Sequence, residues 1–302
     1  MSRVFDALKR ARQENGQGGE KSPDGEWLLE AKASSEEISV PVFGEDGGIN
    51  GATPPQNNGG SKSWRERLEE LFFGWDLRRY KNYPLVVLEE GAPAAEQYKI
   101  LREHVKRIRS EAGARFLSIT SPVKRDGKTT VAVNLAAAIA LNYEEEVLLI
   151  DADLRRPEAH RYFGLAPSPG LADYLRSQSN EDLSTYVRST FIPGLQVLPA
   201  GRPEALSSEL LARGKMRSLM AEIRSKFPSH QIIVDTPPVL STPDPLVLSK
   251  HVEGILLVIR SGKTPREYLV RAVQSLNSTK IMGVVMNGVQ LGIASKYYYR
   301  SH

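Results

Sequence analysis

A phosphate-loop-like turn, set between an apolar strand and an apolar helix, constrains this chain more than any other feature. FLSIT at 116–120 reads as a short buried strand, and KTTVAVNLAAAIALN at 128–142 reads as an apolar helix. Between them runs Ser121-Pro122-Val123-Lys124-Arg125-Asp126-Gly127, leading into Lys128-Thr129-Thr130. Strand, glycine-ended loop and helix in this order are the setting in which backbone N–H groups and a helix N-terminus cradle phosphates. Lys124, Arg125, Asp126, Gly127, Lys128, Thr129 and Thr130 are the expected phosphate-binding residues. Lys128 is placed to reach β- and γ-phosphates, and the Thr129 hydroxyl to bind Mg²⁺. The match to G-x-x-x-x-G-K-[ST] is incomplete, since Pro122 stands where the first glycine belongs.

Further apolar runs fix the fold class. VLLID (147–151), LQVLPAG (195–201), IIVDT (232–236), ILLVIR (255–260) and GVVMN (283–287) read as strands. Helical segments at 94–111, 207–227 and 265–276 alternate with them. β-branched runs alternating with helices imply an α/β fold: a mostly parallel sheet with helices on both faces, like that of a P-loop NTPase. Two of the strands end in carboxylates. Asp151 and Asp153 follow VLLI, and Asp235 follows IIV at the Walker B position, where an Asp holds Mg²⁺ through water. In open α/β sheets such strand ends face the ligand crevice.

Residues 1–62 are expected to be a flexible low-complexity region, with a possible short helix at 2–12. Ten of the chain's 24 glycines lie in residues 1–60, too little apolar material to offset the entropy of ordering. Residues 63–84 form a connector, in which Trp64, Leu68, Leu71, Phe72 and Trp75 follow helical spacing. The nucleotide-binding domain is placed at 85–290 and a Tyr-rich tail at 291–302. The chain has no Cys, which excludes disulfides and cysteine-ligated metals. A net charge of +4 is too small to imply nucleic acid as a partner. No apolar run approaches the roughly 20 residues of a transmembrane segment. The opening MSRVFDALKRARQENG lacks the apolar core of a signal peptide. A cytoplasmic location is expected.

Taken together, G-K-T-T-V-A-V-N-L-A, the D-x-D-x-R pattern at Asp151–Arg155, and V-D-T-P-P at 234–238 resemble the bacterial tyrosine kinases of capsule and exopolysaccharide synthesis, within the MinD/ParA-like deviant Walker class. Glu96-x-x-Lys99-x-x-Arg102 is similar to that family's E-x-x-R-x-x-R oligomerisation motif, with Lys99 replacing the central Arg. The resemblance implies an ATP- and Mg²⁺-dependent tyrosine autokinase. Lys128, Asp151 and Asp153 would be catalytic, with Asp151 acting on the acceptor hydroxyl. Thr129, Asp151, Asp153 and Asp235 would serve the metal, and Asn287 would contact adenine. Tyr297, Tyr298 and Tyr299 would be phosphorylated in trans within a homo-oligomeric ring. A membrane chain-length or co-polymerase adaptor would recruit the chain to the inner face of the plasma membrane. Two other readings are a MinD/ParA-like ATPase switch and an ATP-binding scaffold of a polysaccharide export complex. Val123 stands where the signature lysine of the former would fall, and Lys124-Arg125-Asp126 replaces the family's usual glycine-containing stretch.

Overall fold

The computed structural model describes residues 38–40, 84–89, 91–142, 145–178, 181–276 and 280–289. The expected helices at 2–12 and 64–79 and the Tyr-rich tail lie outside them.

Eight strands form one sheet, in the order β1-β8-β7-β2-β6-β3-β5-β4. They are β1 (Ile38–Val40), β2 (Phe116–Thr120), β3 (Val147–Asp151), β4 (Arg188–Ser189), β5 (Leu195–Leu198), β6 (Gln231–Asp235), β7 (Gly254–Arg260) and β8 (Ile281–Asn287). All neighbours pair in parallel except β4, which runs antiparallel to β5 at the sheet edge. The helices are α1 (Pro93–Ala112), α2 (Lys128–Ala140), α3 (Ala159–Tyr162), α4 (Leu171–Arg176), α5 (Ser207–Leu211), α6 (Gly214–Lys226), α7 (Asp244–Leu248) and α8 (Arg266–Ser275).

The period-two geometry of strands divides the interior into two cores. Leu117, Ile119, Leu149 and Ile233 point to the face covered by α1 and α2. Phe116, Leu148, Ile150, Ile232 and Val234 point to the face covered by α4, α5, α6 and α8. Both faces are covered, so β2, β3 and β6 are buried at every residue. This is why they read as unbroken apolar runs rather than as alternation. Helix α2 is buried almost all round, and its alanines at 132, 136, 137, 138 and 140 let it lie close to the sheet.

The structure differs from the sequence expectation in four places. The single helix expected at 207–227 is two, because Arg213 takes an extended backbone (ψ 153°) at the start of α6. Helices α3, α4 and α7 have four to six residues, too few turns for a helical period to show. The apolar run at 195–201 is a strand only as far as Leu198. Strand β1 falls inside the glycine-rich region and pairs with the edge of β8 over Ile38 to Val40.

Leu149 is fully buried at the centre of β3. Leu149→Ala is expected to lower the unfolding free energy by about 2–5 kcal/mol. In urea titration the midpoint should fall with an unchanged slope.

Candidate nucleotide and phosphoryl-transfer site

The sheet order puts β2 between β7 and β6, and β6 beside β3. The loop after β2 therefore faces the carboxyl ends of β3 and β6. Asp151 and Asp235 are direct register partners across the β3–β6 ladder. Three carboxylates and one ammonium meet there, all largely buried. Asp151, Asp153 and Asp235 are 0%, 5% and 1% exposed. Lys128 Nζ lies 2.9 Å from Asp153 Oδ2 and donates to Thr129 Oγ1 at 3.1 Å.

Each carboxylate is held differently. Asp151 is oriented by backbone: it accepts from the N–H groups of Asp153 (3.2 Å), Glu158 (3.2 Å) and Ala159 (3.1 Å). Asp153 accepts from the Arg156 N–H at 3.1 Å as well as pairing with Lys128. Asp235 is buried with no hydrogen-bond partner on either oxygen. Burial, followed by the charges of Asp235 and Asp153, pushes the Asp151 carboxyl well above the usual carboxylate range. Burial also pushes Asp235 up, to about 6, against the opposing pull of Lys128. Burial alone would depress the Lys128 ammonium, but Asp235 and Asp153 outweigh it and the net direction is up.

An orphaned buried carboxylate beside a helix-N-terminal threonine suits a small divalent cation. Among the described residues no group of three or more His, Cys, Asp and Glu side chains forms a metal cage. A cation here would draw the rest of its shell from water and substrate oxygens, as Mg²⁺ commonly does.

The phosphate loop is built on Asp126 and closed by Asn287. Asp126 is 3% exposed and turned into the protein. It accepts from the Val123 N–H (3.2 Å) and the Thr264 hydroxyl (2.8 Å), and Thr264 Oγ1 in turn accepts from the Arg260 N–H (2.8 Å). Its carboxylate is thus occupied in shaping the loop, which leaves backbone to face a ligand. Asn287 Nδ2 donates to the Asp126 carbonyl at 2.9 Å, while Asn287 Oδ1 is buried without a partner. Gly127 has φ +92°, and a Cβ there would lie 1.9 Å from Asn287 Nδ2. Arg125 also has positive φ (+68°), an uncommon conformation for a side-chain-bearing residue. Its carbonyl accepts from Arg260 Nη1 at 3.4 Å. Lys124 and Arg125 are exposed. The Thr130 hydroxyl is tied to Tyr162 at 2.9 Å.

The structure therefore brings together Lys128, Thr129, Asp151, Asp153 and Asp235, with Gly127 and Asn287 at the loop. Glu96, Lys99 and Arg102 lie on α1. Glu96 and Lys99 pair at 2.6 Å on an exposed face, next to half-exposed Ile100. Arg102 reaches Glu103 at 2.9 Å and the Ala138 carbonyl on α2 at 3.4 Å.

Several organising residues carry no motif of their own. Thr264 and Arg260 stand about 135 residues from the loop they brace. Asn134 on α2 donates to the Pro84 carbonyl (3.2 Å), and its Oδ1 accepts from the Val87 N–H (3.4 Å), anchoring the segment before α1. Buried Asp244 accepts from the hydroxyls of Ser207 and Ser208 and faces Arg155 at 3.7 Å. Of these, Arg155 in D-x-D-x-R and Asn134 in G-K-T-T-V-A-V-N-L-A fell within motifs read from the sequence.

This arrangement defines a P-loop NTPase-like protein, with its phosphate loop, paired Asp strand ends and Walker B carboxylate in one crevice. No family model matches the chain. It is 33% identical over 223 residues to the tyrosine-protein kinase YwqD of Bacillus subtilis, covering 73% of this chain and 92% of that protein. It is 32% identical over 217 residues to the tyrosine-protein kinase Ptk of Acinetobacter johnsonii, covering 71% of this chain. The kinase domain of the Escherichia coli tyrosine kinase Etk superposes with a TM-score of 0.64 at 28% identity, covering 83% of this chain and 89% of that one. The chain belongs to the bacterial tyrosine-kinase family. It spans 29% of the length of Ptk and 36% of that of Etk.

A carboxyl whose folded pKa is raised to about 6 loses stability as pH climbs from its unfolded value of about 4 to about 6, because the folded form must give up a proton it prefers to keep. Asp235→Asn removes that cost. In metal-free protein the variant is expected to be more stable than wild type at pH 7–8, by roughly 1–3 kcal/mol. The difference should vanish near pH 4. Urea unfolding in chelator across this range is the measurement. A constant offset at every pH would contradict the assignment.

Proposed function

We propose that the chain is an ATP-dependent protein-tyrosine autokinase. It transfers the γ-phosphate of ATP to Tyr297, Tyr298 and Tyr299 of a neighbouring copy, and in doing so regulates polymerisation or export of a capsular or exopolysaccharide. The observation that carries this reading is the buried Lys128 surrounded by Asp151, Asp153 and Asp235, in a chain whose relatives are named tyrosine-protein kinases.

The chemistry follows from the residues. Lys128 pairs with Asp153, and a bound phosphate would compete with that carboxylate for the ammonium. The ammonium would turn to the β- and γ-phosphates, and Asp153 would be released toward the metal. Thr129 and Asp235 would hold Mg²⁺ directly or through water, with Asp153 and Asp151 beside them. The ion would supply charge neutralisation on the transferring phosphoryl group. Backbone of the 124–130 loop would bind the phosphates, and the free Asn287 Oδ1 would accept from the adenine amino group.

A tyrosine hydroxyl has a pKa of about 10, so its transfer chemistry gains from a nearby base. Asp151 is fixed by three backbone N–H groups at the end of β3, which would hold its carboxylate toward the incoming hydroxyl. It would take the hydroxyl proton as the phenolate oxygen bonds to the γ-phosphorus and ADP leaves.

Copies would associate through the α1 face of Glu96, Lys99 and Arg102, with exposed Ile100 adding apolar contact. Among the described residues no helix is long and apolar enough to cross a membrane. A membrane chain-length or co-polymerase adaptor would bring this kinase to the inner face of the plasma membrane.

Lys128→Met is expected to cut phosphotyrosine formation roughly 100-fold or more. Circular dichroism should show the fold unchanged. Undiminished phosphotyrosine in the folded variant would remove the kinase assignment. Replacing Tyr297, Tyr298 and Tyr299 with Phe should abolish most of the label while nucleotide binding persists. Phosphate mapped by mass spectrometry to Tyr80, Tyr83 or Tyr98 would refute the tail as acceptor.

If transfer is in trans, the specific rate should rise with protein concentration. Charge reversal at both Glu96 and Arg102 should give slowly phosphorylated monomers by light scattering. A rate independent of concentration in the wild type would exclude transfer between copies.

A further inference from the structure

The sheet has a second charged end. At the amino-terminal side of β7, opposite the nucleotide crevice, α6 and the turn Ser249–His251 border a solvent-open cavity of about 340 Å³. Its lining includes Arg217, Met220, Arg224, Lys250, His251 and Glu253. Residues 217, 220, 221 and 224 share one face of α6 by helical spacing, so two guanidinium-bearing side chains and an apolar strip project from the same wall.

Positive charge dominates here and is largely uncompensated. Glu253 is the one carboxylate among the lining residues, and it is already used: it accepts from the Phe116 N–H and pairs with Arg224. Arg224 also lies 4.0 Å over the Phe116 ring, which fixes its guanidinium. Among the described residues no carboxylate pairs with Arg217 or Lys250, and both are exposed. Lys280 adds charge from behind. Its ammonium donates to the carbonyls of Ser249 (2.6 Å) and Val252 (2.8 Å), pinning the turn that presents Lys250 and His251. Burial, then the charges of Arg217, Lys250, Lys280 and Arg224, press the His251 pKa down. The imidazole is thus a donor or acceptor in a positive field rather than a further cation.

The volume lies within the range of small-ligand sites. The site is open to solvent, and its charge suits a compact anion of more than one negative charge. Arginine guanidinium groups match phosphate oxygens in pairs. We propose that this cavity binds a small soluble phosphate ester or diphosphate, gripped by Arg217 and Lys250, with Met220 and Val252 against its organic part. The inference is independent of the nucleotide-site reading, because it uses none of the same residues.

Pyrophosphate is a suitable probe, but the phosphate loop would compete for it. Calorimetric titration is therefore done on full-length Lys128→Met protein without divalent metal, then on the same background carrying Arg217→Gln and Lys250→Gln. Both added sites are exposed, and matching thermal melts will confirm that the fold is kept. Binding is expected in the first protein and should weaken about tenfold for each cation removed. It should also fall steeply with added salt. Equal affinity in the two proteins, or no binding in either, would overturn the proposal. A third arm tests the lipid source of the same chemistry, by sedimentation with phosphatidylglycerol vesicles. Vesicle binding that needs Arg217 and Lys250, without pyrophosphate binding, would make the cavity a headgroup contact and overturn the assignment of a soluble ligand.

Discussion

The charge balance at the carboxyl ends of β3 and β6 governs the rest of the site. Three carboxylates are buried around one ammonium, and two of them face each other directly across a strand pair. Burying an ionised carboxylate without full compensation is costly, and proteins keep such groups mainly where chemistry requires them. Lys128 cannot satisfy all three: it contacts Asp153, while Asp235 has no hydrogen-bond partner. Among these side chains positive charge is in deficit. A divalent cation bound among these carboxylates would reduce that deficit, and its charge would lower the Asp151 carboxyl that burial and its two Asp neighbours hold up.

That arrangement depends on backbone precision, and the precision comes from elements far apart in sequence. The loop after β2 carries Lys-Arg-Asp where more glycine would be expected, yet it makes its turn with Arg125 at φ +68°. The strain is met by a bracing network: Asp126 is bonded to Thr264 and to the Val123 N–H, Arg260 to the Arg125 carbonyl, and Asn287 to the Asp126 carbonyl. Residues following or ending β7 and β8 thus hold a loop that follows β2. Gly127 has φ +92°, a conformation that strains any side chain, and a Cβ there would also meet the Asn287 amide.

Much of this was legible from the chain alone. The unbroken apolar runs at 116–120 and 147–151 marked strands buried on both faces, and the structure places them at those bounds. Asp151 and Asp235 were readable because each ends such a run, and Lys128 because it opens the apolar helix after the glycine-ended loop. The bracing residues were not. Thr264 and Arg260 act through contacts that local pattern cannot encode, and a buried Thr–Asp bond leaves no periodicity. Asp126 was expected in the ligand-binding loop, and what the sequence did not show is that its carboxylate turns inward to Val123 and Thr264. The short helices α3, α4 and α7 escaped for a simpler reason: four to six residues complete too few turns to display a face.

The two ends of the sheet carry opposite electrostatic problems. The carboxyl ends gather three carboxylates around one ammonium, and the amino-terminal side of β7 gathers cations around one carboxylate. The central strands join them physically. Phe116 begins β2, lies under Arg224 and bonds Glu253, while Thr120 at the other end of the same strand bonds the Pro237 carbonyl just beyond Asp235. A strand hydrogen-bonded on both sides and buried on both faces is stiff. Such a strand gives the two sites a common, rigid frame, so that each can be preorganised for its ligand without the other being filled.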